Sequence, residues 1–162
     1  MEIKALGKNF IVIGENIHAT RVLLRAGQSV TATEEGQESV RFTGTNGEPC
    51  YLPIPEEYKK TQEYQEGRIK HIKIAIQAAM SGREPGASLG LEYLHQKVRV
   101  QLNAGADFID LNVDEVSLRP ESQKAAMLWL VDAVRPVCPV PLSVDSSNTE
   151  TIRAGLEACQ GH

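Results

Sequence analysis

Several acidic and amide side chains interrupt or directly follow short apolar segments of the sequence. They belong to Glu15, Asn16, Asp110, Asn112, Asp145 and Asn148. A carboxylate accepts hydrogen bonds, whereas a carboxamide both donates and accepts them. Such a set can bind the polar edge of a ligand, position a water molecule and assist proton transfer. The residue types therefore indicate hydrogen-bonding and acid–base chemistry, and this chemistry needs no metal.

The apolar segments themselves have the composition and spacing of buried strands. Three strands are predicted, the first over 10–13, the second over 108–113 and the third within 137–144. Helical periodicity predicts helices over 58–80, 91–104, 121–134 and 149–158. Strands that alternate with amphipathic helices predict an α/β fold with a parallel sheet and right-handed crossovers. Ligands bind at the carboxyl ends of the strands in such sheets, which is where these polar side chains fall.

The predicted helices have apolar residues at spacings of three and four, which should face the core. These residues are Leu94, Val98 and Leu102, then Ala126, Leu130 and Val134, and finally Ile152 and Leu156. Asn148, directly before the last helix, is also a good candidate for its N-cap.

The segment that follows the first strand has a different character. Residues 39–43 and 50–54 have strand-like composition, and the Asn46–Gly47 pair between them is a turn signal because both residues tolerate a positive φ. We therefore expect a small exposed β-hairpin, inserted at about 28–57 after the first strand.

Two architectures are open to a parallel α/β chain. A doubly wound dinucleotide-binding sheet needs a glycine-rich first turn, and residues 14–18 contain a single glycine. A (β/α)8 TIM barrel needs about 250 residues, whereas this chain has 162. We therefore expect one domain over 1–162 that forms the N-terminal portion of a TIM barrel, as a piece of a larger protein.

Composition argues against several classes of function. The net charge of −4 argues against a general binder of nucleic acid or anionic membranes. No apolar run is long enough to span a bilayer, and no signal-peptide pattern is visible. The three cysteines form neither a C-x-x-C pair nor a disulfide framework. These features predict a soluble cytoplasmic protein without nucleic-acid or membrane partners.

Three stretches resemble the first three βα units of the pterin-binding barrel superfamily: FIVIGENIHATR, LNAGADFIDLNVDE and PLSVDSSNTETIRAGLEA. Within it they are most similar to the methyltetrahydrofolate:corrinoid methyltransferases and to the folate module of cobalamin-dependent methionine synthase. The resemblance covers residues 10–22 and about 91–159. Each match is short, but their order and spacing make the three together more specific.

The resemblance implies roles for the polar residues of the second and third strands. Asp145 falls on the aspartate of a D-S-T-N motif that bonds the pterin ring, and Asn148 belongs to the same motif. Asp110 and Asn112 fall on a D-x-N pair. We expect all four to bind the pterin, with Asp145 and Asn112 as the catalytic residues.

The first strand departs from the family pattern. The G-E-R-I-N motif falls on residues 14–18, so Asn16 stands in place of the arginine and His18 in place of the final asparagine. Glu15 and Asn16 are expected to bind the pterin as well. His18 is expected to be a solvated loop residue.

The resemblance implies transfer of a methyl group from methyltetrahydrofolate, or a related pterin, to a corrinoid. Cobalamin would be carried by a partner protein or domain. The uncovered edge of a three-stranded fragment further predicts a homodimer or a larger assembly.

Two other functions stay open. Dihydropteroate synthase belongs to the same superfamily. The D-S-S-N sequence at residues 145–148 differs from the D-T-R pattern of that enzyme and argues against this function. The other is a non-catalytic fragment that binds a pterin or a partner, with Asp145 serving only to cap a helix.

Overall fold

The computed structural model describes residues 10–160. In chain order the elements are β1 (Ile13–His18), β2 (Leu23–Leu24), β3 (Val30–Ala32), β4 (Glu38–Thr43), β5 (Pro49–Pro53), α1 (Glu56–Lys59), α2 (Gln62–Gln65), β6 (Arg68–Ile69), α3 (His71–Met80), α4 (Gly86–Asn103), β7 (Phe108–Asn112), α5 (Pro120–Val134), β8 (Leu142–Asp145) and α6 (Thr149–Cys159). Residues 1–9 and 161–162 of the predicted domain lie outside the described part. Among the described helices, none has the length and apolar character needed to cross a membrane.

Strands β1, β7 and β8 form one parallel sheet with β7 in the centre. The predicted α/β fold with a parallel sheet is therefore confirmed. Ile109 and Leu111 of β7 are fully buried. Because successive side chains of a strand point to opposite faces, Asp110 and Asn112 share the other face of the sheet. This alternation separates the apolar core from the polar side chains.

The first strand lies further along the chain than the sequence predicts. We expected a doubly buried strand over 10–13, but β1 begins at Ile13, and Phe10 is 68% exposed. Ile13 of the predicted strand pairs with Phe108, but the other residues that pair with β7, including Gly14 and Ile17, follow the predicted strand. The register shifts between these two, so Glu15 and Asn16 lie in a β-bulge.

Helices α4, α5 and α6 pack against the sheet, each next to a different strand. The residues predicted to face the core are buried in α5, at Ala126, Leu130 and Val134, and in α4 at Leu94 and Val98, while Leu102 is partly buried. Helix α4 begins at Gly86, earlier than the predicted start at 91.

Helix α6 turns a different face to the core from the one we predicted. It buries Thr151, Ala154, Gly155 and Cys159, whereas Leu156 is 56% exposed. Small residues are needed on the buried face because α6 lies close to β8. A Cβ atom on Gly155 would stand 2.7 Å from Cγ1 of Val144.

Two small antiparallel sheets lie between β1 and α3 in the sequence. The two strands expected as a hairpin pair with each other as β4 and β5, and β3 adds a third strand beside β4. Strand β2 pairs with β6. Helix α4 packs on β5, which joins this unit to the main core.

The long helix predicted over 58–80 is wrong in its first half. That half forms two separate one-turn helices, α1 and α2, and strand β6, and only α3 remains of the continuous helix. Thr61 interrupts the helix as the N-cap of α2, and Gly67 has a positive φ of 76°. The pairing of β6 with β2 then fixes an extended conformation, so tertiary contacts override the local periodicity.

A buried polar pair joins α3 to α4. The hydroxyl group of Tyr93 lies 2.8 Å from Nδ1 of His71, and the ring of Phe42 packs edge-on against Tyr93 at 5.0 Å between centroids. Burial, with smaller effects from the charges of Lys97 and Arg21, lowers the pKa of His71 to about 3. His71 is therefore neutral in the folded protein at neutral pH.

Replacing His71 should change how stability depends on pH. The unfolded chain protonates this histidine below about pH 6.5 but the native state does so only near pH 3, so the stability it contributes is present above pH 6.5 and declines as the pH falls. This decline is up to about 1.4 kcal/mol per pH unit. In urea denaturation from pH 7 to pH 4, the free energy of unfolding should decrease less for H71N than for wild type. The control H95N should behave like wild type. If the free energy of unfolding changes equally steeply with pH in wild type and in H71N, the prediction is wrong.

Gly90 should be essential to the packing of α4 against α3. A Cβ atom there would stand 2.5 Å from the carbonyl oxygen of Ala75. Although alanine favours a helix, G90A should lower the free energy of unfolding by about 1–3 kcal/mol, because overpacking displaces backbone.

The matched control is G86A at the start of the same helix, where an added Cβ meets nothing within 4 Å. Chemical denaturation of both variants checks the prediction. A G90A protein as stable as G86A would show that the two helices can separate at little cost.

Candidate active site

Three polar side chains stand side by side at the carboxyl end of the parallel sheet. Asn112 of β7 pairs in register with His18 of β1 on one side and with Asp145 of β8 on the other. We call these three residues the polar row. Nδ2 of Asn112 donates a hydrogen bond to Oδ2 of Asp145 at 2.9 Å. The row therefore combines an imidazole, a carboxamide and a carboxylate in one layer.

Asp110 lies two residues before Asn112 on the same face of β7 and binds the row through His18. Nε2 of His18 forms a hydrogen bond with Oδ2 of Asp110. Both side chains are largely buried, with exposed fractions of 13% for His18 and 9% for Asp110. The expectation of a solvated loop histidine is therefore wrong. The ladder with β7 extends to His18 and turns its ring inward.

The side chains of His18, Asp110 and Asp145 each place one polar atom within 4.8 Å of the other two. Such a spacing also occurs around metal ions, but Nε2 of His18 is already engaged by Asp110. With Asp110 ionised, the carboxylate accepts from the Nε2–H tautomer of His18, which leaves the lone pair of the ring on Nδ1. The arrangement is that of a hydrogen-bonded acid–base pair facing a second carboxylate.

Asp114 fixes the loop that follows Asp145. Its carboxylate accepts a hydrogen bond from the Ser147 backbone N–H at 2.7 Å and another from the Ser146 hydroxyl. Its own backbone N–H donates to Oδ1 of Asn112 at 3.0 Å. Burial opposes ionisation of this carboxyl group, but the hydrogen bonds outweigh burial and lower the pKa of Asp114. Asp114 thus connects the loop after β7 to the loop after β8, next to Asn112 and Asp145 of the polar row.

Sequence reasoning did not single out Asp114. The available signal was its position two residues after Asn112, at the end of a strand that alternates polar and apolar residues. Its partners, however, lie more than 30 residues further along the chain. Only the parallel pairing of β7 with β8 brings them together.

The other predicted site residues lie outside the polar row. Glu15 is exposed and forms an ion pair with Arg21 at 2.8 Å. The side chain of Asn16 is exposed, and its backbone N–H donates to Gln101 at 2.7 Å. Asn148 caps α6, with Oδ1 accepting from the Glu150 N–H at 2.9 Å. None of the three forms a hydrogen bond to the row among the described contacts.

A polar cavity of about 360 Å³ lies between the loops that follow β1 and β7 and the segment before α3. Its lining includes Thr20, two residues after His18, and Glu115, next to Asp114. Lys70 forms ion pairs there with Glu115 at 2.6 Å and with Glu63 at 2.8 Å. The hydrogen bond from Lys70 lowers the pKa of Glu63 to about 2. These ion pairs tie the segment before α3 to the β7–α5 loop.

D114N should loosen the loop after Asp145 and lower the free energy of unfolding by about 1–3 kcal/mol at neutral pH, because two donors lose their hydrogen bonds to an ionised acceptor. The pKa of Asp114 is lowered in the native state. Its contribution is therefore complete above the ordinary carboxyl pKa and is lost as the pH falls through the native value. The difference between wild type and D114N should narrow below about pH 4.

Urea denaturation at neutral and acidic pH measures this difference. The control is D132N, because Asp132 is an exposed aspartate on α5 whose ion pair with Arg135 spans 3.7 Å. If D114N unfolds like D132N at both pH values, the hydrogen bonds accepted by Asp114 contribute nothing to stability.

The family to which the chain belongs is consistent with this geometry. The family model described as "Pterin binding enzyme" matches residues 63–162, which include β7, β8 and the helices around them but not β1. No solved structure matches the chain. Because the family match covers more than half of the sequence, this chain belongs to the pterin-binding enzymes.

Proposed function

We propose that the chain binds a reduced pterin at the polar row, as part of an enzyme that transfers the methyl group of methyltetrahydrofolate to a corrinoid protein. The observation that carries the proposal is the hydrogen bond between Asn112 and Asp145 at 2.9 Å, on adjacent strands at the carboxyl end of the sheet. Membership of the pterin-binding family supports the ligand class. The resemblance of three segments to the methyltransferases supports the reaction.

The chemistry of a pterin matches these side chains. One edge of the ring offers N–H donors arranged like an amidine, together with a carbonyl acceptor. Asp145 is exposed and has engaged only one oxygen with Asn112 among the described contacts, so it can accept from two ring donors. Asp110 and Asn112 lie beside it and complete the proposed binding set.

Methyl transfer requires the nitrogen that loses the methyl group to be protonated or strongly hydrogen-bonded. Asn112 and Asp145, which hold each other in place, would position the ring and any water bound to it. The corrinoid acceptor, bound by a partner protein or domain, would carry the redox chemistry. The task of this chain would be to orient the donor.

Several finer predictions belong to the same proposal. Glu15, Asn16 and Asn148 stay proposed pterin contacts, which for Asn148 would be in addition to capping α6. The unit of small sheets would be an insertion in the first βα loop of a partial TIM barrel. We also propose a cytoplasmic protein that acts as a homodimer or larger assembly.

Dihydropteroate synthase activity is the second candidate, because the family match does not distinguish the two types of enzyme. The D-S-S-N sequence at 145–148 favours the methyltransferase. A non-catalytic pterin-binding role is the third. These alternatives share the ring site and differ in the reaction.

Titration calorimetry with methyltetrahydrofolate tests the ring site. D145N should weaken binding by about 10- to 100-fold, because a hydrogen bond to a charged acceptor contributes about 1.5–3 kcal/mol. D132N should bind like wild type. Equal affinities for D145N and wild type, or no binding by wild type, would overturn the proposed site.

The reaction is tested by following the loss of cob(I)alamin absorbance with methyltetrahydrofolate as donor. The complete protein should form methylcobalamin, and D145N should form it at least tenfold more slowly. Tight pterin binding without methylcobalamin would exclude the methyltransferase. Formation of dihydropteroate in a parallel assay would then identify the synthase.

A further inference from the structure

His18 is the member of the polar row that the family resemblance does not explain. It stands where the resembling motif has an asparagine, and we had expected it in solvent. Instead its side chain is 13% exposed and bonded to the buried Asp110. A buried histidine at a ligand site, held by a carboxylate, is the usual arrangement of a group that exchanges protons.

The contacts of the ring determine which nitrogen can act. In the tautomer that donates to the ionised Asp110 carboxylate, the hydrogen is on Nε2. Asp110 is the only hydrogen-bond partner of the His18 side chain within residues 10–160. Nδ1 is therefore the nitrogen that can bond a ligand. It acts as an acceptor when the ring is neutral and as a donor when the ring is protonated.

Carboxylates on the neighbouring elements surround this imidazole. Asp110 of β7 bonds His18 directly, and Asp145 of β8 places an oxygen within 4.8 Å of the other two groups. On the strand that carries His18, Glu15 is paired with Arg21 and so adds little net charge. Two carboxylates thus face one imidazole.

We propose that His18 is the acid that protonates the bound pterin, with Asp110 holding its ring in place. This inference depends on the proposed pterin site. The Nδ1–H bond of the imidazolium breaks as an N–H bond forms at the methyl-bearing nitrogen, so His18 becomes neutral and the nitrogen cationic. When the methyl group then moves to the cob(I)alamin of the partner, the C–N electron pair stays on that nitrogen. The two electrons of the new bond come from the cobalt, which is thereby oxidised.

Proton uptake on binding separates this role from a merely structural one. Above the pH at which free His18 is protonated, wild type should take up close to one proton when it binds methyltetrahydrofolate. Its affinity should then fall by up to about tenfold per pH unit. Calorimetry in two buffers of different ionisation enthalpy measures the uptake, and titrations between about pH 6 and pH 9 measure the slope.

H18N is the decisive variant because asparagine restores the residue of the family motif and can form hydrogen bonds but cannot titrate. It should bind methyltetrahydrofolate with little proton uptake and an affinity almost independent of pH. D110N should reduce the uptake as well, since it removes the charge that holds the imidazolium. The control is H95N, because Nε2 of His95 bonds the Ala133 carbonyl on α5, away from the row.

The outcomes are distinguishable. Binding by H18N with the proton uptake and slope of wild type would overturn the role of His18 and leave the pterin site intact. The same holds if H18N loses affinity equally at every pH and keeps the slope, which would indicate a structural role. No binding by wild type would instead overturn the proposed function itself.

Discussion

The register of the central strand β7 is the constraint on which the proposed site depends. Because β7 pairs in parallel on both sides, Asn112 lies between His18 and Asp145 in one layer. The same strand determines which side chains lie on each face of the sheet. Ile109 and Leu111 pack into the core, so Asp110 and Asn112 must point the other way. A shift of one residue would turn Asp110 and Asn112 into the apolar core and turn Ile109 and Leu111 towards the polar row.

Burying Asp110 and Asn112 is costly unless their polar atoms are bonded. Neighbouring groups in the structure provide these hydrogen bonds. His18 bonds Asp110, while Asn112 donates to Asp145 and accepts from the backbone of Asp114. Asp114 in turn holds the next loop through Ser146 and Ser147. Each side chain of the row is therefore oriented by a neighbour, as a site that must hold a ligand in one position requires.

The sequence predicts the parts of this arrangement that depend on local pattern. Alternation places Asp110 and Asn112 on one face, and the strand before Asp145 and the helix after Asn148 form as expected. The predictions that are wrong concern features that depend on long-range strand pairing. The bulge in β1 cannot be read from its residues, because it arises from the match between Gly14 and Ile17 and their partners on β7. The break in the helix predicted over 58–80 has the same origin, since β6 is extended only because β2 pairs with it.

His18 illustrates why a site is harder to predict than a fold. An isolated histidine after an apolar run is usually solvated, and only the extension of the β1–β7 ladder brings this one against Asp110. Its partner lies 92 residues away in the sequence. The departure from the family motif, which was a reason for doubt at the level of sequence, becomes the most specific feature of the site.

A crystal structure of the protein with bound methyltetrahydrofolate tests the central claim most directly. The account predicts that the polar edge of the pterin ring bonds the Asp145 carboxylate and the Asn112 carboxamide, with Nδ1 of His18 facing the ring. A pterin bound in the cavity beside Lys70, with the polar row free of ligand, would contradict it.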